Sequence, residues 1–250
     1  MNKLFLLFIF LGIWSCAVEQ GITWGSGEYK GGTCSGCPEV LISIPEALDT
    51  LGMGKVVNTS LREEIISLLD YDDSNNAETI SQAIASFENA SGELQKKFPD
   101  EQMEWEAKIV GEISYEDNNI ISISLDTYTF TGGAHGLAFS RFLNFSKISE
   151  AEIELLDFFD GAEKLIEMSE KIFRAQFNIP DSIGINETGF MFEGDVFSLP
   201  QTMGFSPNGL ELIYNTYEIA SYADGEIRLT LSWESIAPYL LPEYRTPQAL

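Results

Sequence analysis

The stretch Met-Glu-Trp-Glu-Ala-Lys-Ile-Val-Gly-Glu-Ile-Ser-Tyr, residues 103–115, decides the fold class, because apolar and charged side chains alternate along most of it. Such alternation predicts a strand with one buried face and one solvated face. The pattern resumes over Ile121–Phe130, after a polar turn at Glu116–Asn119, and again over Ala134–Phe145. We therefore expect these three segments to form an antiparallel meander.

Shorter signals precede this meander. Val40–Ile44 reads as a strand that ends before a proline, and Ser60–Leu69 opens with the spacing of a capping box and predicts a helix. A second helix is expected after a cap at Asn75 or Asn76, and Pro99 would terminate it. One strand and two helices are therefore expected before the meander.

Helical and strand signals also follow the meander. A capping-box pair, Ser149 and Glu152, predicts the start of helical structure that continues up to Pro180. Four short strands and a last helical turn are then expected at Phe190–Phe192, Met203–Phe205, Leu210–Tyr214, Ile227–Leu231 and Ser232–Ile236. The order predicts an α+β fold: antiparallel sheets with helices packed on one side, in two adjoining subdomains, 38–148 and 149–250, that share a core.

The N-terminus has the features of a secretion signal. Lys3 precedes an apolar run, Leu4–Leu11, which is too short to cross roughly 30 Å of hydrocarbon as a finished helix. Ser15 then precedes Cys16, as in a bacterial lipobox, so residues 1–15 are predicted to be a lipoprotein signal peptide and Cys16 the acylated residue. An ordinary secretory signal with an incidental cysteine is the alternative.

This prediction places the mature chain on a membrane of the cell envelope. The residues after Cys16, Ala17 and Val18, include no Asp that would hold a lipoprotein at the inner membrane. We therefore expect attachment by the Cys16 acyl chains to the outer membrane of a Gram-negative bacterium.

Residues 16–37 are glycine-rich and predict a flexible tether. Two further cysteines, Cys34 and Cys37, form a Cys-x-x-Cys pair within it. Such a pair can be a redox centre, half of a zinc site or a small disulfide. A local disulfide is favoured in an oxidising compartment, and no metal or cofactor is predicted.

Charge restricts the partners. The chain has 39 Asp and Glu against 14 Lys and Arg, a formal net charge of −25. A chain of this charge repels nucleic acid and favours encounters with cationic proteins. Solubility in a saline habitat is the alternative explanation, and the oligomeric state is left open.

Few residues suggest chemistry. His135 is the only histidine, so any imidazole-dependent base or metal site would have to use it. No Gly-x-Ser-x-Gly elbow accompanies it, and a structural histidine beside Gly132 and Gly133 is the favoured interpretation. The aspartates from Asp70 onward lack the glycine and glutamate of an EF-hand.

Tyrosines offer a second candidate site. Tyr214, Tyr217 and Tyr222 are close in sequence and could line a ligand groove. Aromatic residues at such spacing are more often core or corner anchors. With 39 acids in the chain, a carboxylate pair for glycosidic chemistry cannot be chosen from the sequence.

Three segments resemble one known family. They are Tyr128–Gly136 with its Gly-Gly-Ala-His motif, Leu155–Phe159, and Leu210–Gly225 with Tyr-x-x-Ala-x-Tyr-Ala-x-Gly. Together they resemble the RsiV-like family over roughly residues 38 to 245. That family includes the extracytoplasmic part of a lysozyme-sensing anti-sigma factor and the non-catalytic N-terminal region of the peptidoglycan deacetylase PdaC.

The resemblance implies a stand-alone envelope module that binds lysozyme or a peptidoglycan fragment without catalysis. His135, Tyr217 and Tyr222 would be its binding or structural motif. Sigma-factor control and deacetylation are not expected to transfer, since neither the sensor's transmembrane helix nor the deacetylase's catalytic domain is expected here. The alternative is an envelope hydrolase that uses His135 or a carboxylate pair.

Overall fold

The computed structural model describes residues 21–32, 36–72, 76–99 and 104–245, and these residues form an α+β fold, as predicted. The helices are α1 (Gly52–Leu69), α2 (Ile80–Lys97), α3 (Glu163–Gln176) and α4 (Trp233–Ile236). The strands are β1 (Trp24–Lys30), β2 (Glu39–Ala47), β3 (Glu106–Glu116), β4 (Ile120–Phe130), β5 (Leu137–Ser146), β6 (Ala151–Glu152), β7 (Thr202–Ser206), β8 (Gly209–Tyr214) and β9 (Ile227–Ser232).

Strands β1 to β6 form one sheet in chain order, and β7 to β9 form a second, smaller one. The predicted meander is β3–β4–β5, in which Ile113 pairs with Ile123 and Ile123 with Leu143. Strands β2 and β3 pair in parallel, which requires a long crossover. Helices α1 and α2 supply that crossover.

The strand registers give the large sheet two ends. One end, here the N-terminal end, carries Trp24, the β2–α1 connection after Ala47, and the turns at 117–119 and 147–150. The other, the His135 end, carries Lys30, the start of β3, and the β4–β5 loop at 131–136. The 11 residues of β4 run from the first end to the second.

Two predictions about the first strands were wrong. The proposed tether at 16–37 contains β1, whose residues pair with β2 from Trp24 to Lys30. Strand β2 also continues through Pro45. Its pairing with β3 ends at Ser43, so the missing N–H of the proline interrupts no ladder on that side.

The helix starts were also misplaced. Helix α1 begins at Gly52 instead of Ser60, because its buried stripe already includes Gly54 and Val57. Helix α2 is capped by Thr79, not by Asn75 or Asn76: the Thr79 side chain accepts from the backbone of Gln82 in a capping box. Strand β3 begins at Glu106, three residues later than expected.

After the meander, the capping box expected at Ser149 and Glu152 is absent, since Glu152 belongs to β6 and pairs with Phe145. Helical structure begins with a 3₁₀ turn at Leu155–Phe158 and continues in α3. Phe190–Phe192 is not a strand. Instead, Phe190 and Phe192 pack edge-on against Phe173 of α3, with ring centroids 4.8 and 5.2 Å apart.

Each face of the large sheet has its own hydrophobic cluster. On one face, Ile42, Ile109 and Ile123 pack with Leu61 of α1 and Phe87 of α2. The second cluster contains residues of the sheet together with the C-terminal half of the chain: Tyr115, Ile120, Phe158, Phe173, Phe205 and Tyr214. The predicted subdomains therefore share the sheet, and its two faces separate their clusters.

None of the helices in the described ranges is long and apolar enough to span a bilayer. The predicted signal peptide at 1–15, the lipid-attachment residue Cys16 and the cysteine Cys34 lie outside the described residues. Cys37 is described and is disulfide-bonded, and its pairing with Cys34 stays a prediction.

Candidate functional site

Three residues singled out in the sequence meet at the His135 end of the large sheet. The rings of His135 and Tyr222 stack with centroids 3.8 Å apart and an angle of 22° between their planes. The Tyr217 ring lies 5.5 Å from that of Tyr222, and its hydroxyl lies 3.4 Å from Nε2 of His135. We call these three residues the aromatic platform.

The platform faces solvent. Tyr217 and Tyr222 expose 55% and 39% of their surface, and His135 is also exposed. Aromatic side chains are usually buried in the core of a protein. A cluster of exposed aromatic residues is therefore typical of a binding surface. Tyr214, the third tyrosine of the sequence motif, lies in the core instead, with 1% of its surface exposed.

The loop that carries His135 depends on glycine. Gly132 and Gly133 have φ values of +107° and +94°, which L side chains rarely adopt. A Cβ on Gly136 would lie 2.5 Å from three atoms of the Tyr128 side chain. With any larger residue at this position the Tyr128 ring would have to move. The Tyr222 hydroxyl donates to the Gly136 carbonyl at 3.2 Å.

Local hydrogen bonds shape the loop that carries the two tyrosines. Tyr217 has a φ of +73°, a left-handed conformation that is costly for a residue other than glycine. Glu218 stabilises that turn by accepting from the backbone N–H of Asn215 at 2.9 Å and of Gln201 at 3.3 Å. Ser221 forms a capping box for the short 3₁₀ helix that starts at Tyr222.

Asn215 fixes this loop to the large sheet. Its Oδ1 accepts from the backbone N–H of Ser140 at 2.8 Å, and its Nδ2 donates to the Ser140 carbonyl and to Thr202 Oγ1, both at 3.0 Å. The amide thus pairs with the edge of β5 as a neighbouring strand would. It holds β5, β7 and the platform loop together.

A groove follows the edge of β5 beside this amide. Its volume is about 1130 Å³, and residues 139–144, 152–157 and 201–203 line it together with Asn215. Two of the lining residues are hydrogen-bonded to each other: Asn144 Nδ2 donates to the Met203 carbonyl at 2.9 Å. This bond joins the two sheets at the groove.

The charges around the platform are acidic. The two loops that carry it, 131–136 and 215–226, contain Glu218, Asp224 and Glu226 and no Lys or Arg. Arg228 lies two residues after Glu226, and its guanidinium pairs with that carboxylate. A cationic ligand at the platform would therefore meet net negative charge.

The surroundings of His135 are simple. Within the part of the chain that the structure describes, its polar contacts are the Tyr217 hydroxyl and the Gly136 carbonyl, at 3.1 Å from Nδ1. Neither group is a carboxylate that would orient an imidazole for general-base catalysis. The arrangement is suited to ring stacking and hydrogen bonding.

The aspartate cluster at Asp70 serves the local backbone. Asp70 accepts from the N–H groups of Ala77 at 2.8 Å and Asp72 at 3.2 Å. These bonds, the Ala77 bond foremost, lower the pKa of its carboxyl. No group of three or more His, Cys, Asp or Glu that could hold a metal ion occurs among the described residues.

Sequence reasoning therefore found the three platform residues but missed Asn215. In the sequence, Asn215 is followed by Thr-Tyr-Glu, and nothing in this segment distinguishes it from other loop asparagines. Its partner Ser140 lies 75 positions away, so no local signal identifies its role.

Two family models match the chain. Residues 35–138 match the model described as deacetylase PdaC, and residues 157–234 match the model of a protein family of unknown function, DUF3298. No curated protein matches at a significant level. One part of the chain is thus similar to the PdaC model and a later part to the DUF3298 model, in agreement with the RsiV-like resemblance.

Solved structures show the same fold. A DUF3298-family protein from Bacteroides fragilis superimposes with a TM-score of 0.62 at 18% identity, covering 89% of this chain and 94% of its own. A DUF3298-family protein from Pseudomonas aeruginosa gives a TM-score of 0.63 at 16% identity, covering 90% of this chain and 96% of its own. At these identities the likeness is one of fold.

Proposed function

We propose that this chain, a PdaC-type region followed by a DUF3298 domain, is a lipid-anchored module of the cell envelope that binds a cationic protein such as lysozyme, without catalysis. The observation that carries the proposal is the aromatic platform: three exposed rings on two loops that together contain three acids and neither Lys nor Arg. The anchor would be the acylated Cys16, and the location the outer membrane of a Gram-negative bacterium.

The platform offers two kinds of contact to a basic partner. Lys and Arg side chains bind the faces of tyrosine rings through cation–π contacts, worth about 0.5–2 kcal/mol each. The net charge of −25 would in addition steer a cationic protein toward the chain and raise its association rate. The resemblance to a lysozyme-sensing family supports lysozyme as the first partner to test.

A titration of the mature domain with lysozyme tests this proposal, at about 50 and about 150 mM salt. We expect binding that weakens with salt, and at least about a tenfold loss of affinity for Tyr217→Ala or Tyr222→Ala, as for central aromatic residues in interfaces. Val196→Ala is the matched control, because Val196 is 66% exposed and lies outside the platform.

The absence of binding at both salt concentrations would refute lysozyme as the partner. Equal affinities for the platform variants and for Val196→Ala would place the interface elsewhere. Turnover of murein by the wild-type domain, with loss of that turnover in His135→Ala, would contradict the non-catalytic part of the proposal.

A peptidoglycan fragment is the second candidate, and the stacked rings of His135 and Tyr222 favour it, because a sugar can lie against an exposed aromatic face. Purified murein sacculi distinguish the two. Retention of the domain on sacculi, lost in Tyr222→Ala and insensitive to salt, would support the glycan over the cationic protein.

A further inference from the structure

Three exposed apolar side chains lie at the N-terminal end of the large sheet. Leu48, Leu51 and Ile148 expose 59%, 80% and 53% of their surface. The first two lie in the β2–α1 connection and the third in the turn after β5. These segments approach each other, since a Cβ on Gly52 would lie 3.9 Å from Oε1 of Glu150. We call Leu48, Leu51 and Ile148 the apolar tip.

The described chain begins beside this tip. The Thr23 carbonyl accepts from the backbone N–H of Leu48 at 2.8 Å, and the Thr23 N–H donates to Oδ2 of Asp49 at 3.1 Å. Cys16 precedes Thr23 by seven residues. Whatever their conformation, seven residues span at most about 25 Å.

This reach is shorter than the sheet. The 11 residues of β4, at about 3.3 Å per residue, separate the two ends of the sheet by roughly 33 Å. With a lipid on Cys16, the distance from Thr23 to the bilayer would thus be smaller than the length of the sheet. The domain could not invert and bring the His135 end to the membrane.

We infer that the apolar tip contacts the lipid bilayer, with Leu48, Leu51 and Ile148 in the headgroup region, and that the aromatic platform faces away from the membrane. The inference rests on the acylation of Cys16 in the proposed function. Because the lipid anchor holds the domain next to the bilayer, the local concentration of the apolar tip at the membrane is high. A small apolar surface is then enough for insertion.

The charges at the tip specify the lipid. Asp49 and Glu150 flank the apolar side chains, and the exposed Lys55 follows Leu51 by four residues. Lys147 is neutralised by its pairing with Glu116 at 2.6 Å. This surface is net negative, so anionic headgroups would repel it. The preferred bilayer is zwitterionic, such as phosphatidylcholine or phosphatidylethanolamine.

Fluorescence quenching of the full, acylated protein tests the orientation. A fluorophore is attached to Leu51→Cys, and in a separate variant to Ala134→Cys in the exposed loop beside the platform. The protein is reconstituted in phosphatidylcholine vesicles with brominated acyl chains, and wild-type protein gives the labelling background. We expect emission at position 51 to fall at least about twofold more than at position 134.

A charge variant tests the apolar contact itself. With the fluorophore on Ile148→Cys, the additional change Leu51→Glu should reduce quenching to the level found at position 134. Val196→Glu is the control, because Val196 is also an exposed apolar residue, at 66%, but lies in the C-terminal half, and it should leave the quenching unchanged. Replacing half of the lipid by phosphatidylglycerol should also reduce the quenching.

The outcomes separate this inference from its premise. Suppose that fatty-acid labelling is present in the wild type and lost in Cys16→Ser, and that quenching is equal at positions 51 and 134. This result would overturn the bilayer contact and support the anchor. Labelling that is absent from the wild type would overturn both the anchor and the contact, while lysozyme binding would still be decided by its own titration.

Discussion

Replacing Asn215 by alanine removes the side chain that joins β5, β7 and the platform loop. Three hydrogen bonds are lost, and each contributes about 0.5–1.5 kcal/mol to stability. The Ser140 carbonyl keeps a second donor, Thr202 Oγ1 at 3.1 Å, whereas the Ser140 N–H is left without its partner. Water from the adjacent groove can replace part of that bond. We therefore expect a loss of about 2–3 kcal/mol in the free energy of unfolding.

Urea unfolding measures this change, followed by fluorescence and by circular dichroism to test for two-state behaviour. The matched control is Asn89→Ala, because Asn89 lies on the exposed side of α2. That variant should stay within about 0.5 kcal/mol of the wild type. The melting temperature of Asn215→Ala should fall by about 5–10 °C, the scale for a chain of this size.

A double-mutant cycle identifies the cause. If Asn215 acts through Thr202, the change Thr202→Ala should cost less in the Asn215→Ala background than in the wild type, with a coupling energy of at least about 0.5 kcal/mol. A stability for Asn215→Ala that equals that of Asn89→Ala would refute the argument. Additive effects of the two changes would refute the contact with Thr202 alone.

Three further changes probe the His135 loop, the ion pair between α1 and β5, and the start of α2. Gly136→Ala should lower the melting temperature and displace the loop, because its Cβ would meet the Tyr128 ring; thermal unfolding and lysozyme affinity report the two effects. Burial raises the pKa of Glu64, against the opposing attraction of Arg141. The stabilisation from Glu64 is therefore complete below its ordinary pKa and is lost as pH rises through the raised value, so Glu64→Gln should flatten stability against pH above about 4.5 in urea unfolding. Thr79→Ala removes the cap of α2 and should cost about 1 kcal/mol, measured in the same assay.

The meander was predictable because its signal is local. A strand that packs one face against helices and exposes part of its other face to solvent needs alternating apolar and polar side chains. Strands β3 and β4 have this alternation in their sequences. Strand β1 lacks this signal, since it is a glycine-containing edge strand in which one residue, Gly27, is buried. Its pairing with β2 comes from tertiary structure, so composition suggested a tether.

Helix α1 shows the limit of capping rules. Its N-cap is Leu51, and no side chain caps the first turn, so the start carries no recognisable residue. The Ser60–Glu63 spacing lies inside the helix, where the same residue types occur without a capping role. The apolar stripe from Val57 to Leu69 was the better guide, because packing of one face stabilises a helix more than its cap does.

The aromatic platform was predictable in its members and not in its geometry. His135 was conspicuous as the only histidine, and Tyr217 and Tyr222 belong to a motif of the resembling family. The ring of His135 stacks on a tyrosine 87 positions later because the small sheet packs against β5 through β7. The positive φ of Tyr217 is likewise imposed by Glu218 and Asn215 and has no sequence signature of its own.

The two proposals constrain each other physically. If the apolar tip lies at the bilayer, the sheet places the aromatic platform roughly 33 Å above it. At physiological ionic strength the Debye length is about 8 Å, so the charge of the lipid headgroups is screened at that height. A cationic partner that approaches from the bulk solvent would then respond to the acids of this chain, Glu218 and Asp224 foremost, and not to the membrane beneath. The short connection to Cys16 would thus give the domain a fixed outward face, which a flexible tether of 22 residues would not.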